Sequence, residues 1–221
     1  VQRHPSYPLS IYNYTDKAMV NNVWNAVTKT CRGLIVNDEG DIIARPFPKF
    51  FNYGQPESKT YGETEPVVVT DKVDGSLGIL YPTPDGNWAI ATRGSFTSEQ
   101  AIHATGILRE KYAHKFSEFT TLETWLFEIV YPENRIVVDY AGMDDLVLLG
   151  GVNIEAGLIL PASVFNEEDW DGPKTEEFDY PSLAKALAAE PRPGKEGLVV
   201  HFLDSDTLVK IKQEDYLKLH K

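Results

Sequence analysis

One cysteine, two methionines and no long apolar run set the first limits on this 221-residue chain. Cys31 has no second cysteine to pair with, which excludes an internal disulfide and fits a reducing compartment. No stretch approaches the roughly 18 apolar residues that span a bilayer, and no basic-then-apolar stretch opens the sequence, so the expected location is cytoplasmic (a host's cytoplasm for a viral protein), with no membrane partner. Positive charge is scarce: 21 Lys and Arg against 33 Asp and Glu leave a formal net charge of −12. A surface that grips nucleic acid everywhere is thereby excluded, because phosphate contacts need clustered cations; any polyanion site must be local. Neither Gly-x-Gly-x-x-Gly nor a Gly-Lys-Ser/Thr loop occurs, so neither a dinucleotide-binding turn nor a phosphate loop is indicated. Repeats and low-complexity tracts are absent, and Val1 in place of an initiator Met fits a processed or trimmed chain.

What is present is an ordinary globular composition, 42% hydrophobic and 24% charged, enough for one large domain or two small ones. Residues 7–14 read as an opening strand or loop and 17–26 as a short helix. Paired β-branched runs at 34–36 and 42–44 around Asn37-Asp38-Glu39-Gly40 read as a hairpin, and a second pair, 77–81 and 88–92, surrounds a loop of turn formers. Ser98 is a candidate cap for a helix reaching about residue 116, with Ala101, Ile102, Thr105, Leu108 and Tyr112 at helical spacing. Strands are expected at 124–130, 135–140 and 146–154, a surface excursion at 166–181, a short Ala-rich helix at 182–190, strands at 197–202 and 207–211, and a terminal helix from Gln213. Many antiparallel strands with interleaved helices give an α+β fold, expected as two packed sheets with a cleft between them.

The stretch Thr70-Asp71-Lys72-Val73-Asp74-Gly75-Ser76 carries the most information. A lysine two residues before Asp-Gly is how covalent nucleotidyltransferases present their nucleophile, although Lys-x-Asp-Gly equally describes a solvated turn between the apolar runs 67–69 and 77–81. As a nucleophile the amine must be unprotonated, and an ordinary lysine pKa of roughly 10.4 has to be brought down by burial or neighbouring cations. Three further segments put charge inside apolar strands. Lys210-Ile211-Lys212 sends two lysines to one strand face, as either a solvated face or a cradle for an anion such as a nucleotide phosphate. Glu128 sits among Leu126, Phe127, Ile129 and Val130, where an unpartnered carboxylate is expensive, so it accepts hydrogen bonds from a ribose or from a protein donor. Glu196 precedes the strand at 197–202 and is either a ligand for a hydrated divalent cation or an exposed loop residue. Arg32 and Lys49 each add a cation beside an apolar run.

In their order, Cys31-Arg32-Gly33, Lys49-Phe50-Phe51-Asn52, Lys72-Val73-Asp74-Gly75-Ser76, Phe127-Glu128 with Asn134-Arg135-Ile136-Val137, Glu196-Gly197 and Lys210-Ile211-Lys212 resemble the phage-type RNA ligase 1 family of ATP-dependent single-strand RNA ligases, from about residue 12 to residue 220. The resemblance implies a nucleotidyltransferase fold related to ATP-grasp, with two antiparallel sheets flanking a nucleotide cleft and peripheral helices, and a single adenylyltransferase domain over 1–221. It makes Lys72 the adenylylated lysine, places Thr70, Asp71 and Gly75 in nucleotide-binding positions, and gives Glu128 the ribose hydroxyls. Lys210 and Lys212 contact the α-phosphate, Arg32 and Lys49 the outer phosphates, and Phe51 is an aromatic needed near the nucleotide. Glu196 and Asp74 organise Mg2+ or Mn2+ as the metal beside ATP. The implied partner is RNA with 5′-phosphate and 3′-hydroxyl ends, acted on by a monomer.

Two departures stand out. The element after the nucleophile reads Thr92-Arg93-Gly94-Ser95 where the family usually has lysine; Arg93 still binds phosphate, with a two-pronged geometry. The sequence also ends nine residues after Lys212, whereas phage members continue into a C-terminal domain associated with substrate RNA, so that domain is expected to be absent here. The competing readings are a DNA ligase or GTP-using capping enzyme, separated by nucleotide preference, and a nucleotide- or RNA-end-binding module that does not seal.

Overall fold

The computed structural model describes residues 1–213; the helix expected from Gln213 onward lies outside the described residues except for Gln213 itself. The chain divides into two compact units. The first contains Val1–Lys49, Ser76–Ile129 and Asp145–Pro173; the second contains Phe50–Gly75, Val130–Asp144 and the chain from Lys174. Among the described residues no helix is long and apolar enough to cross a membrane.

In chain order the elements are β1 (Gln2–Arg3), β2 (Leu9–Asn13), α1 (Asp16–Val20), α2 (Ala26–Thr30), β3 (Arg32–Asn37), β4 (Ile42–Ala44), β5 (Phe51–Asn52), β6 (Val67–Asp71), β7 (Ser76–Pro82) and β8 (Trp88–Ala91). They continue with α3 (Glu99–Lys111), β9 (Glu123–Val130), β10 (Asp145–Asn153), β11 (Ile159–Pro161), β12 (Glu177–Phe178), α4 (Leu183–Ala188), β13 (Gly197–Phe202) and β14 (Thr207–Lys212). The fold is α+β, as its sequence pattern implies. To the two five-stranded sheets, ordered β11-β10-β9-β7-β8 and β12-β6-β13-β14-β5, it adds a four-stranded N-terminal sheet, β1-β2-β3-β4.

The first unit holds the four-stranded sheet and the β7–β11 sheet. Its core is aliphatic and aromatic: Ile11, Ile35, Ile79, Ile90, Leu108, Trp125, Leu126, Phe127 and Leu146 are all but sealed from solvent. Ser98 caps α3 by accepting the N–H of Ala101, as its position in the sequence predicts. The buried face of α3 is Ala101, Ala104 and Leu108, continued by Tyr112, whereas Ile102 is exposed because it lies one step round the helix from that stripe. Thr105 is drawn inward by a polar tie: its hydroxyl accepts from the Ile90 N–H and donates to the Ile90 carbonyl. The α-helix ends at Lys111 and a 3-10 turn over Ala113–Glu118 replaces the extension expected to residue 116.

Between β2 and β3 the single helix expected at 17–26 is two short ones. Asn22 takes a left-handed backbone (φ 54), which breaks the first, and the Asn25 side chain accepts the N–H groups of Val27 and Thr28 to start the second.

The second unit is built on β6 and β13, which pair antiparallel from Leu198↔Asp71 to Phe202↔Val67, with β14 on the other side of β13. Alternate residues Val69, Leu198, Val200, Phe202 and Val209 pack with Leu183 and Ala186 of α4. The opposite parity on β14 carries Lys210 and Lys212. β6 and β7 belong to different sheets, so the 72–75 segment connects one sheet to the other.

Gly33 leaves little room for a side chain. Its φ is +102°, and a Cβ there would collide with the Ile79 side chain while lying 3.1 Å from the Arg93 carbonyl oxygen. Gly33→Ala should therefore cost about 1 kcal/mol or more in stability, read as a lower melting temperature. An unchanged melting temperature would contradict the close approach of β3 to residue 93.

Candidate active site

Lys72 leaves the end of β6 and is fixed at its backbone before its side chain does anything: its N–H donates to the Gly197 carbonyl at the start of β13 (2.9 Å). The side chain then reaches Glu196, with Nζ 2.7 Å from Oε1; the lysine side chain is 21% exposed and the glutamate 5%. Burial pushes the Glu196 carboxyl above its ordinary range, nearby Asp74 adds to that, and the charges of Lys72 and Lys212 oppose it. Four residues singled out by sequence, Lys72, Asp74, Glu196 and Lys212, thus share one electrostatic neighbourhood within the second unit.

Asp74 is buried and does a structural task as well. Its Oδ2 accepts the N–H groups of both Val137 and Val138 at 2.9 Å, and its own N–H donates to the Tyr140 hydroxyl at 2.7 Å. These bonds explain why residues 135–140 do not form the expected strand: their backbone donors turn to a carboxylate in place of a neighbouring strand. Beside Asp74 lies a cavity of about 180 Å³, walled in part by Tyr131, Asn134, Arg135 and Tyr140.

The remaining residues of this group occupy defined places. Thr70 sits in β6 opposite Val199 and Glu177. The Asp71 carboxylate pairs with Arg192 at 2.8 Å. Half-buried Gly75 follows Asp74 at the end of the connection. Phe51 is buried in β5, which runs parallel to β14 with Phe51 opposite Val209, and Lys210 Nζ lies 5.7 Å from the centre of the Phe50 ring. Among the described residues no group of three or more His, Cys, Asp or Glu could hold a metal. Glu196 and Asp74 are two carboxylates in one electrostatic neighbourhood, a donor set compatible with a hydrated Mg2+, which uses one or two protein carboxylates and keeps several waters.

Arg32, Lys49, Arg93 and Glu128 form a second group, in the first unit. Arg32 is half-buried, and its guanidinium is held below its ordinary pKa by burial and then by Arg93, against opposing help from Tyr14 and Glu128. Lys49 is pushed down by burial, with Arg32 and Arg93 adding and Tyr14 opposing. Tyr14 ties the cations together: its hydroxyl accepts from Arg93 Nη1 at 3.0 Å, and its ring centre lies 5.3 Å from Arg93 Cζ and 5.8 Å from Lys49 Nζ. Trp24 packs edge-on to Tyr14 and lies 5.4 Å below Lys49 Nζ. Three like charges gathered together, Arg32 and Lys49 partly buried and Arg93 exposed, favour an anion among them.

Sequence reasoning missed Tyr14, Trp24 and Arg192. Tyr14 and Trp24 lie on either side of α1, with no charge pattern to flag them. Arg192 lies between two prolines in a stretch that reads as a plain loop.

The cation group generates a direct expectation. Without an anion, Lys49→Met should raise the melting temperature, because it removes a charge that burial, Arg32 and Arg93 disfavour. Pyrophosphate should stabilise the wild-type protein, by about 1.4 kcal/mol at ten times its Kd, and this gain should vanish in Lys49→Met. Equal pyrophosphate shifts in the two proteins would contradict an anion site at Lys49.

Comparison with known proteins gives a consistent set of matches. A family model described as RNA ligase matches residues 30–217. A protein of Autographa californica nuclear polyhedrosis virus, provisionally named a bifunctional polynucleotide kinase/RNA ligase, is 27% identical over 245 residues, covering 100% of this chain and 35% of its own length. RNA ligase 1 of bacteriophage TS2126 is 30% identical over 129 residues, 49% of this chain and 31% of that protein. The chain therefore spans about a third of the length of these curated relatives. Among solved structures, a mutant Naegleria gruberi RNA ligase with ATP and Mn superposes with a TM-score of 0.54 at 18% identity, over 71% of this chain and 52% of that one. The same enzyme with PPi gives 0.55 at 15% identity, over 97% and 85%. These structures share the fold, and with the family model running across all but the ends of the sequence, the chain belongs to the RNA ligase family.

Proposed function

We propose that this chain is the adenylyltransferase part of an ATP-dependent RNA ligase that joins 3′-hydroxyl to 5′-phosphate ends through a covalent lysyl-AMP. The observation that carries the reading is Lys72, held by its backbone to Gly197 and by its Nζ 2.7 Å from Glu196, with Asp74 and Lys212 close by. Membership of the RNA ligase family and the ATP and Mn bound by a protein of the same fold supply the substrate class and the cofactor.

In the first step the Lys72 amine, having given up its proton, attacks the ATP α-phosphorus. An N–P bond forms, the bond to the bridging α–β oxygen breaks, and pyrophosphate leaves. The AMP then passes to an RNA 5′-phosphate, releasing the lysine amine, and a 3′-hydroxyl finally displaces AMP with formation of a phosphodiester. All three are phosphoryl transfers, which depend on in-line positioning and on neutralising phosphate charge. Lys210 and Lys212 supply cations for the α-phosphate. Arg32, Lys49 and Arg93 supply them for the departing pyrophosphate, with Arg93 taking the place of the family's usual lysine. Glu128 accepts from the ribose hydroxyls, and Thr70, Asp71, Gly75 and Phe51 line the nucleotide. Mg2+, held by Glu196 and Asp74 through its waters, would add positive charge beside the reacting phosphate and favour the neutral lysine.

Given ATP, Mg2+ and RNA with a 5′-phosphate and a 3′-hydroxyl, the protein should produce AMP-capped ends and joined strands. GTP should not replace ATP, and Lys72→Ala should lose both products by about 10³-fold or more. Products formed from GTP, or by Lys72→Ala, would sink the reading.

A further inference from the structure

Arg192 belongs to none of the segments that mark the family, yet it is joined to the residues on either side of the nucleophile's anchor. One nitrogen, Nη2, donates both to Asp71 Oδ1 and to the Gly197 carbonyl, each at 2.8 Å. Asp71 immediately precedes Lys72. Gly197 immediately follows Glu196, and its carbonyl is the same oxygen that receives the Lys72 backbone N–H. Two hydrogen bonds therefore meet on that oxygen, one from Lys72 itself and one from Arg192.

The rest of the neighbourhood holds Arg192 in place. Its backbone N–H donates to Gln213 Oε1 at 3.1 Å, and the Gln213 N–H in turn donates to the Glu196 carbonyl at 2.9 Å. The guanidinium carbon lies 4.6 Å from the centre of the Phe178 ring in β12, the strand that pairs with β6. Asp71 is fixed from its other side: its N–H donates to the Glu176 carbonyl, and its own carbonyl accepts the Thr175 hydroxyl at 2.7 Å. The Asp71 carboxylate and Arg192 are both largely buried, at 9% and 23% side-chain exposure, so the pair is shielded from the screening that makes surface ion pairs weak.

From this geometry we propose that Arg192 is a positioning residue for adenylylation, setting where Lys72 starts from by clamping Asp71 and the Gly197 carbonyl together. The inference rests on Lys72 being the adenylylated residue. A lysine amine hangs on four rotatable bonds, and its reach to a phosphorus in line with the leaving oxygen is only as well defined as its Cα. A displacement of about 1 Å at a reacting atom costs up to about a hundredfold in rate. Glu196 restrains the far end of the side chain and Arg192 the near end. The two restraints fall on the adjacent residues Glu196 and Gly197, so loosening Arg192 moves the amine and its partner relative to each other.

A residue that only stabilised the fold would change melting temperature and leave the turnover of folded protein alone. The test is self-adenylylation with α-labelled ATP and Mg2+, measured across ATP concentration in wild type, Arg192→Ala and Arg192→Lys, together with melting temperature and hydrogen exchange at the Lys72 amide. The expected result is a fall of about tenfold or more in the rate at saturating ATP for Arg192→Ala, with KM for ATP within about twofold of wild type. Arg192→Lys, which keeps the charge and a donor, should recover part of that loss. Exchange at the Lys72 amide should speed up in Arg192→Ala, reporting the loosened bond to Gly197.

Arg192→Ala labelling at the wild-type rate, or losing activity through KM alone, would overturn the proposal. Where Arg192→Ala fails to fold, Arg192→Lys decides: a slowed rate with unchanged KM supports the clamp, and a wild-type rate refutes it. Label absent from the wild-type protein removes the adenylyltransferase reading and this inference with it, whereas label in wild type and undiminished in both variants removes this inference alone.

Discussion

An amine and a carboxylate 2.7 Å apart in a poorly hydrated setting are the contact on which the proposed chemistry depends. Lys72 can attack only when neutral, and Glu196, pressed above its ordinary pKa by burial, is a partner that gains little from being charged. Burial makes the Glu196 anion expensive, the Lys72 and Lys212 charges recover part of that expense, and nearby Asp74 adds to it. On the proposed function, a divalent cation would bring to the two carboxylates the positive charge that Lys72 has to surrender before attack. The sheet exists to hold that contact. Lys72 comes off β6, Glu196 leads into β13, and the two strands pair along five residues up to the point where the lysine leaves.

The cations of the first unit express the same logic with opposite sign. Arg32, Lys49 and Arg93 gather around Tyr14 in a protein whose net charge is −12; burial and Arg93 disfavour the charged form of Arg32, and burial, Arg32 and Arg93 that of Lys49. On the proposed function the group is a place where phosphate charge is awaited, with the rings of Tyr14 and Trp24 beside Lys49 and that of Tyr14 beside Arg93. The acidic remainder of the surface keeps polyanion binding local, which is the limit that composition alone set.

Much of this is legible in the sequence because it rests on local pattern. Alternating apolar residues locate β6, β13 and β14, and strand parity alone puts Lys210 and Lys212 on the face opposite Val209 and Ile211. Ser98 signals the start of α3 because an N-cap is a one-residue event. Contacts between distant segments leave no such trace. The run at 135–140 has a strand's composition, but its backbone donors go to Asp74, more than sixty residues away. Arg192 has the surroundings of loop filling, and only the fold brings its side chain onto Asp71 and Gly197. Tyr14 and Trp24 likewise acquire meaning only through Lys49 and Arg93, since an aromatic residue beside a short helix carries no sign of the cations it will meet. Lys-x-Asp-Gly is ambiguous between a solvated turn joining two strands and a nucleophile's seat, and only the fold shows that Lys72 meets Glu196, which lies far from it in sequence.

The central claim is that Lys72 becomes covalently bonded to AMP, and the most direct measurement is mass mapping of the protein after incubation with ATP and Mg2+ in the absence of RNA. The account predicts a single AMP added to the peptide that carries Lys72, removed again when pyrophosphate is supplied. AMP on any other residue, or no adduct under these conditions, would contradict it.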